Sequence, residues 1–139
     1  MIVDGAYVRG VGNLPPDLTD EAMTPHLEAA GIRLRRWVGA TAYADAESAT
    51  PADAPRQTAL KLAEAHLSLA VGFPAWAGNY KSGQGFVGGA SLAEGQASYL
   101  TPAQVEALQK QHLAEAERLA QPYLLPGGVL AGQRIGVDR

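Results

Sequence analysis

The sequence predicts a mostly α fold, a small bundle of three to four helices with a long glycine-rich loop and extended termini. Two observations carry that reading. Alanine is abundant and only 6% of the 139 residues are aromatic, which favours closely packed helices over sheet. The stretch 58–72 is apolar around most of its circumference: Leu60, Ala63, Leu67, Ala70 and Val71 recur at helical spacing beside a second row of Leu62, His66, Leu69 and Phe73. A helix of this kind must be buried at the centre of the fold. Its four leucines are worth roughly 1.5–3 kcal/mol each on burial, against a few tenths for a Lys61–Glu64 pair. One consistently polar line, Gln57, Lys61, Glu64 and Ser68, is expected to face solvent.

The rest of the chain is read around that helix. Residues 1–16 are punctuated by Gly5, Gly10 and Gly12 and closed by Pro15 and Pro16, so they are expected to form an N-terminal arm or an edge strand. A first long helix starts at Thr19, with Asp20 and Glu21 in its first turn, or again at Thr24 with Pro25 as its first residue. Its buried stripe is Met23, Leu27, Ala30, Leu34 and Trp37 or Val38, and Gly39 ends it. Arg33, Arg35 and Arg36 lie off that stripe. They form either a solvated face near a helix C-terminus or a contact for an acidic partner surface. A short helical turn carrying Tyr43 is expected within 40–49, and the central helix then starts on a cap at Thr50 or Asp53.

The segment 74–100 is the least ordinary. It combines Gly78, Gly83, Gly85, Gly88, Gly89 and Gly95 with Trp76, Tyr80, Phe86 and Tyr99, and has little charge beyond Lys81 and Glu94. Helices in bundles are usually joined by about 2–8 residues, so a connection this long implies function or order imposed from outside the monomer. A loose hairpin pairing Phe86 and Val87 with 97–100 is one expectation and a disordered linker another, although disorder normally brings charge and few aromatics. The last helix has the clearest start: Thr101 as cap, Pro102 at the first position and Gln104 closing a capping box. Val105, Leu108, His112 or Leu113, Ala116, Leu119 and Tyr123 form its buried stripe, with a Glu106–Lys110 pair outside. Residues 126–139 are a tail carrying Arg134 and Arg139, which leaves 17–125 as one helical domain.

Composition excludes several function classes. The chain has no cysteine, hence no disulfide, thiol nucleophile or thiolate metal site. A formal charge of −3 argues against a protein held on nucleic acid by overall electrostatics. No apolar run approaches the ~18 residues of a membrane span, and no signal peptide is apparent, so a soluble protein is expected. His26, His66 and His112 stand singly on three predicted helices without metal spacing, and are read as core or interface residues. Glutamates and serines lack catalytic context. No enzyme and no cofactor is expected. Loose apolar termini and an aromatic loop point instead to an interaction protein.

The order of parts completes the reading. Leu-Thr-Asp-Glu at 18–21, a helix ending Arg-Arg-Trp-Val-Gly at 35–39, the Ala/Leu-rich helix 59–70, the glycine-rich loop, and Tyr-Leu-Thr-Pro-Ala-Gln-Val-Glu-Ala-Leu at 99–108 together resemble the small head-tail connector (adaptor, or head-completion) proteins of tailed bacteriophages. The likeness spans roughly residues 14–125 and rests on pattern more than on residues. It implies a helical protomer, made in the host cytoplasm, that joins a virion neck as a ring, usually twelvefold. The ring would sit on the portal protein, offer a platform to the tail or next neck protein, and pass DNA through its lumen without reading it. Residues 74–100, with Trp76, Tyr80, Phe86 and Tyr99, and the tail, with Arg134 and Arg139, then become candidate contacts. Arg33 and Arg36 would meet an acidic surface, and Lys61 and Glu64 would pair across a protomer interface. The alternative is a small cytoplasmic helical ligand- or protein-binding module in which the four loop aromatics close over the partner.

Overall fold

In the computed structural model, residues 1–79 and 101–126 are described. They form five α-helices and no strand: α1 (Gly5–Gly12), α2 (Asp20–Val38), α3 (Ala40–Glu47), α4 (Ala54–Asn79) and α5 (Pro102–Ala120), followed by a 3-10 turn, Gln121–Tyr123. The fold class read from the sequence holds, with two more helices than the lower expectation. The expected loop hairpin falls on residues outside those described.

α4 is the axis. Its Ala70 carbonyl accepts from Gln109 of α5 at 2.8 Å and His66 meets His112, while Leu60 and Ala63 share a core cluster with Ala116 and Ala120. Rising numbers on α4 thus meet falling numbers on α5, and the two run antiparallel. The same holds against α2: Trp76 donates to the Ala22 carbonyl and meets His26 edge-on, whereas Leu60 packs in the cluster that contains Leu34 and Val38. α1 and α3 also lie on α4. No residue between Leu60 and Phe73 is fully exposed, as a helix apolar all round requires.

The caps explain the boundaries. Thr19 Oγ1 accepts from Ala22 N–H, so α2 begins once, at the first of the two candidate starts, and Pro25 is accommodated inside it. Met23, Leu27, Ala30, Leu34, Trp37 and Val38 are all buried. Asp53, rather than Thr50, caps α4 by accepting from Arg56 N–H at 3.0 Å. At α5 both halves of the capping box form: Gln104 N–H donates to Thr101 Oγ1, and Thr101 N–H donates to Gln104 Oε1.

The N-terminal region departs from expectation. Residues 5–12 are a helix, not an arm or a strand. Asp4 caps it by accepting from Tyr7 N–H, and Asn13, in the left-handed region at φ 53°, ends it. Three glycines disfavour a helix locally. Tertiary packing overrides that cost, since Val3 and Val8 are buried in one core cluster with Leu14, Leu18, Met23, Leu69, Phe73 and Trp76.

Candidate functional site

Two polar clusters face opposite sides of α4 two residues apart. The first centres on Glu64, whose side chain is entirely buried. Its Oε2 accepts from the backbone N–H groups of Ile2 at 2.6 Å and Val3 at 3.0 Å, and its Oε1 accepts from the Tyr43 hydroxyl at 2.5 Å. The carboxylate does for the N-terminal segment what a neighbouring strand would do, satisfying two amides that packing has removed from water. Gly31 makes this possible: a Cβ there would sit 2.7 Å from the Tyr43 hydroxyl and 3.3 Å from Glu64 Oε1. Burial pushes the Glu64 carboxyl above its ordinary range, partly offset by the Tyr43, Val3 and Ile2 hydrogen bonds. Tyr43 is pushed strongly upward, first by burial and then by its bond to Glu64. Close by, the Met1 amino group meets Glu47 at 3.0 Å.

This arrangement corrects the solvent line expected along α4. Glu64 and Ser68 are buried, Ser68 donating to the Glu64 carbonyl at 2.8 Å. Gln57 turns inward to donate to the Ala46 and Ser48 carbonyls. Lys61 is half-buried and makes no ion pair with Glu64. Gln57 and Glu64 are polar because α3, the residues after it and the N-terminal segment need hydrogen-bond partners. A pair between Lys61 and Glu64 of neighbouring protomers is incompatible with Glu64 buried in its own protomer.

The second cluster corrects the reading of the histidines as isolated. His66 and His112 approach through Nδ1 atoms 2.9 Å apart. Their ring centroids are 5.2 Å apart and their planes 27° from parallel. That separation is the N···N distance plus one ring radius at each end, so the imidazoles lie end to end as a hydrogen-bonded pair. One Nδ1 must carry the proton and the other accept it, which fixes opposite tautomers. Phe73 lies nearly parallel to His112, 17° between planes. Burial and then the neighbouring His66 lower His112 to about 4, and burial lowers His66, opposed by Glu115. Glu115 itself is held low by Arg118. Among the described residues, no group of three or more acidic or histidine side chains is placed to hold a metal ion.

The remaining candidates separate cleanly. Trp76 is buried, its indole N–H directed at the Ala22 carbonyl at 3.4 Å. Helix α4 runs through Pro74 to Asn79, and this carries Trp76 into the core instead of into a contact loop. Gly72 leaves room for it, since a Cβ there would stand 2.4 Å from the indole. Arg33 is half-buried with its guanidinium 5.9 Å from the Trp37 ring centroid, a cation–π placement. Arg36 is exposed. Tyr80, Phe86, Tyr99, Arg134 and Arg139 lie outside the described residues. Sequence reasoning missed Tyr43 as a partner for Glu64. The available signal was an acid and a serine on a helix with no other solvent-facing side.

Comparison with known proteins adds no relative: no family model matches the chain, and neither the curated proteins nor the solved structures searched contain a match. No helix among the described residues is long and apolar enough to cross a membrane.

Proposed function

We propose that the chain is a non-enzymatic connector of a tailed-bacteriophage neck. It assembles as a ring on the portal protein, twelvefold as in the family it resembles, and offers the tail or next neck protein a platform while DNA passes through the lumen unread. The observation that carries the reading is the antiparallel α4–α5 pair. Both ends of the connection 80–100 leave from one end of this packed pair, as a contact loop on a rigid protomer requires. The properly capped start of α5 and the α2 terminus at Arg35–Gly39 fit the same order of parts. Tyr80, Phe86 and Tyr99 in that connection, and Arg134 and Arg139 in the tail, are the contact residues of this reading. Incubation with the cognate portal followed by electron microscopy should reveal an added ring layer; a chain that leaves the portal bare contradicts the proposal. A monomer in free solution is compatible with it, because the ring forms on the portal.

A second reading, a small helical protein-binding module, draws on a different observation, the outer face of α2 and α3.

A further inference from the structure

The described chain exposes three large hydrophobic side chains, Met1 at 49%, Ile32 at 57% and Leu125 at 44%. Scattered single apolar residues on a surface need no explanation. These three are not scattered: all line two concavities that adjoin on the outer side of α2 and α3. One, of about 600 Å³, has Met1 and Ile32 in its wall, and the other, of about 400 Å³, has Ile32 and Leu125, with Ile32, Arg35 and Ala40 shared. The result is a single groove with an apolar row along it.

Its charge is uneven. The Leu125 half carries Arg35 and Arg36 and no carboxylate. At the far end, Glu47 is bonded to the Met1 amino group, and Glu28 stands one turn before Ile32. Elsewhere among the described residues each arginine has a partner: Arg9 with Asp20, Arg56 with Asp45, Arg118 with Glu115, and Arg33 over Trp37. Arg35 and Arg36 have no side-chain partner among those residues. The α2 dipole accounts for cations in the last helical turn. It does not account for two of the three large exposed apolar side chains among the described residues, Ile32 and Leu125, gathering beside them. Apolar anchors rimmed by unpaired arginines are the composition of a protein-binding surface.

We propose that this groove docks a segment of a partner protein that presents carboxylates beside an apolar row. The apolar side chains cover Ile32 and Leu125, and the carboxylates pair with Arg35 and Arg36, where a planar guanidinium binds a carboxylate through two parallel hydrogen bonds. The small side of Ala40 leaves room for the anchors. This inference rests on the protein-binding reading of the α2–α3 face, is independent of the connector reading and survives its failure.

The test uses the full chain as bait against a yeast-displayed library of random peptides about 16 residues long, a length at which an isolated helix becomes accessible. Ile32→Asp and the double variant Arg35→Glu, Arg36→Glu serve as counter-baits, with Leu125→Asp in reserve should the thermal midpoint of Ile32→Asp fall. The expected result is enrichment of peptides that combine Asp or Glu with apolar residues. These should bind wild type at least tenfold more tightly than either counter-bait, and bind Arg35→Lys, Arg36→Lys with an affinity between wild type and the glutamate variant, since lysine keeps the charge and loses the paired hydrogen bonds. Failure to enrich any peptide over the counter-baits overturns the proposal, as does enrichment of basic or uncharged peptides. Sedimentation that reveals self-association lost in Ile32→Asp also overturns it, by giving the groove to a second copy of the chain.

Discussion

Two polar rows on neighbouring helices look alike as sequence and have opposite fates. In the row on α4, Gln57 and Glu64 turn inward and hold α3 and the N-terminal segment, Ser68 is buried and bonds back to its own helix, and Lys61 is half-buried. Of the row on α2, Arg33 is half-buried and Arg35 and Arg36 are exposed beside Ile32, with no side-chain partner among the described residues. The difference lies in what each helix leaves unsatisfied around it. α4 is covered around most of its circumference, so a polar side chain on its buried sides, such as Glu64 or Ser68, must find a buried partner or lower stability. α2 is a surface helix with a single buried stripe, and polar residues off that stripe are free for contacts outside the chain.

The largest expected effect separates the two rows directly. Glu64→Ala leaves two buried amides and the Tyr43 hydroxyl without their acceptor and should cost about 3 kcal/mol or more in urea unfolding. The double variant Arg35→Glu, Arg36→Glu should cost no more than about 1–2 kcal/mol, the helix-dipole contribution of two exposed cations replaced by anions. Equal losses from the two would erase the distinction. Glu64→Gln, which keeps an acceptor oxygen for Ile2 and Val3 and gains an amide to face Tyr43, should stay within about 1 kcal/mol of wild type.

Gly31→Ala probes the same hub from the α2 side. A methyl at 2.7 Å from the Tyr43 hydroxyl forces the ring or α3 to shift, and a loss of about 1–3 kcal/mol is expected from thermal or urea unfolding. An unchanged midpoint would mean that the approach of α2 to Tyr43 is looser than described.

Acid titration sharpens the contrast between the two sides of α4, because the two clusters carry opposite signs. Glu64 holds its proton to higher pH when folded than when unfolded. Its contribution is therefore full below the unfolded value of about 4.3 and is lost as pH rises through the folded value. For the histidines the folded values are depressed, that of His112 to about 4. Their contribution is full above about 6.5 and is lost as pH falls toward 4, since the unfolded chain takes up protons first. Stability measured from pH 4 to 8 should lose its acid-side decline in His66→Leu, His112→Leu, and its decline with rising pH in Glu64→Gln. Parallel shifts of the whole profile in both variants would contradict these assignments. The smallest effect belongs to Lys61→Glu, expected within about 0.5 kcal/mol because Lys61 is half-buried and unpaired with Glu64.

Much of this was legible in the residues. Thr19 and the Thr101–Gln104 box marked helix starts because capping chemistry is local and needs no knowledge of the fold. The burial of α4 followed from its apolar circumference. α1 was not legible, since Gly5, Gly10 and Gly12 lower its intrinsic propensity and the packing of Val3 and Val8 that stabilises it comes from residues as distant in sequence as Leu69, Phe73 and Trp76. The Asp4 cap and Asn13 stop were the available signs. The histidine pair was hidden for a related reason: spacing along one helix cannot reveal a contact between antiparallel helices until their register is known. Glu64 was misplaced because a glutamate near a lysine on a helix is so commonly surface.

The inward role of Glu64 is the claim on which the contrast rests, and amide hydrogen exchange at Ile2 and Val3 tests it most directly. If both amides are held by a buried carboxylate, they should exchange far more slowly than in an open chain, through opening of the N-terminal segment from Glu64, and should lose that protection in Glu64→Ala. Exchange of both amides at open-chain rates in the wild-type protein would contradict the account.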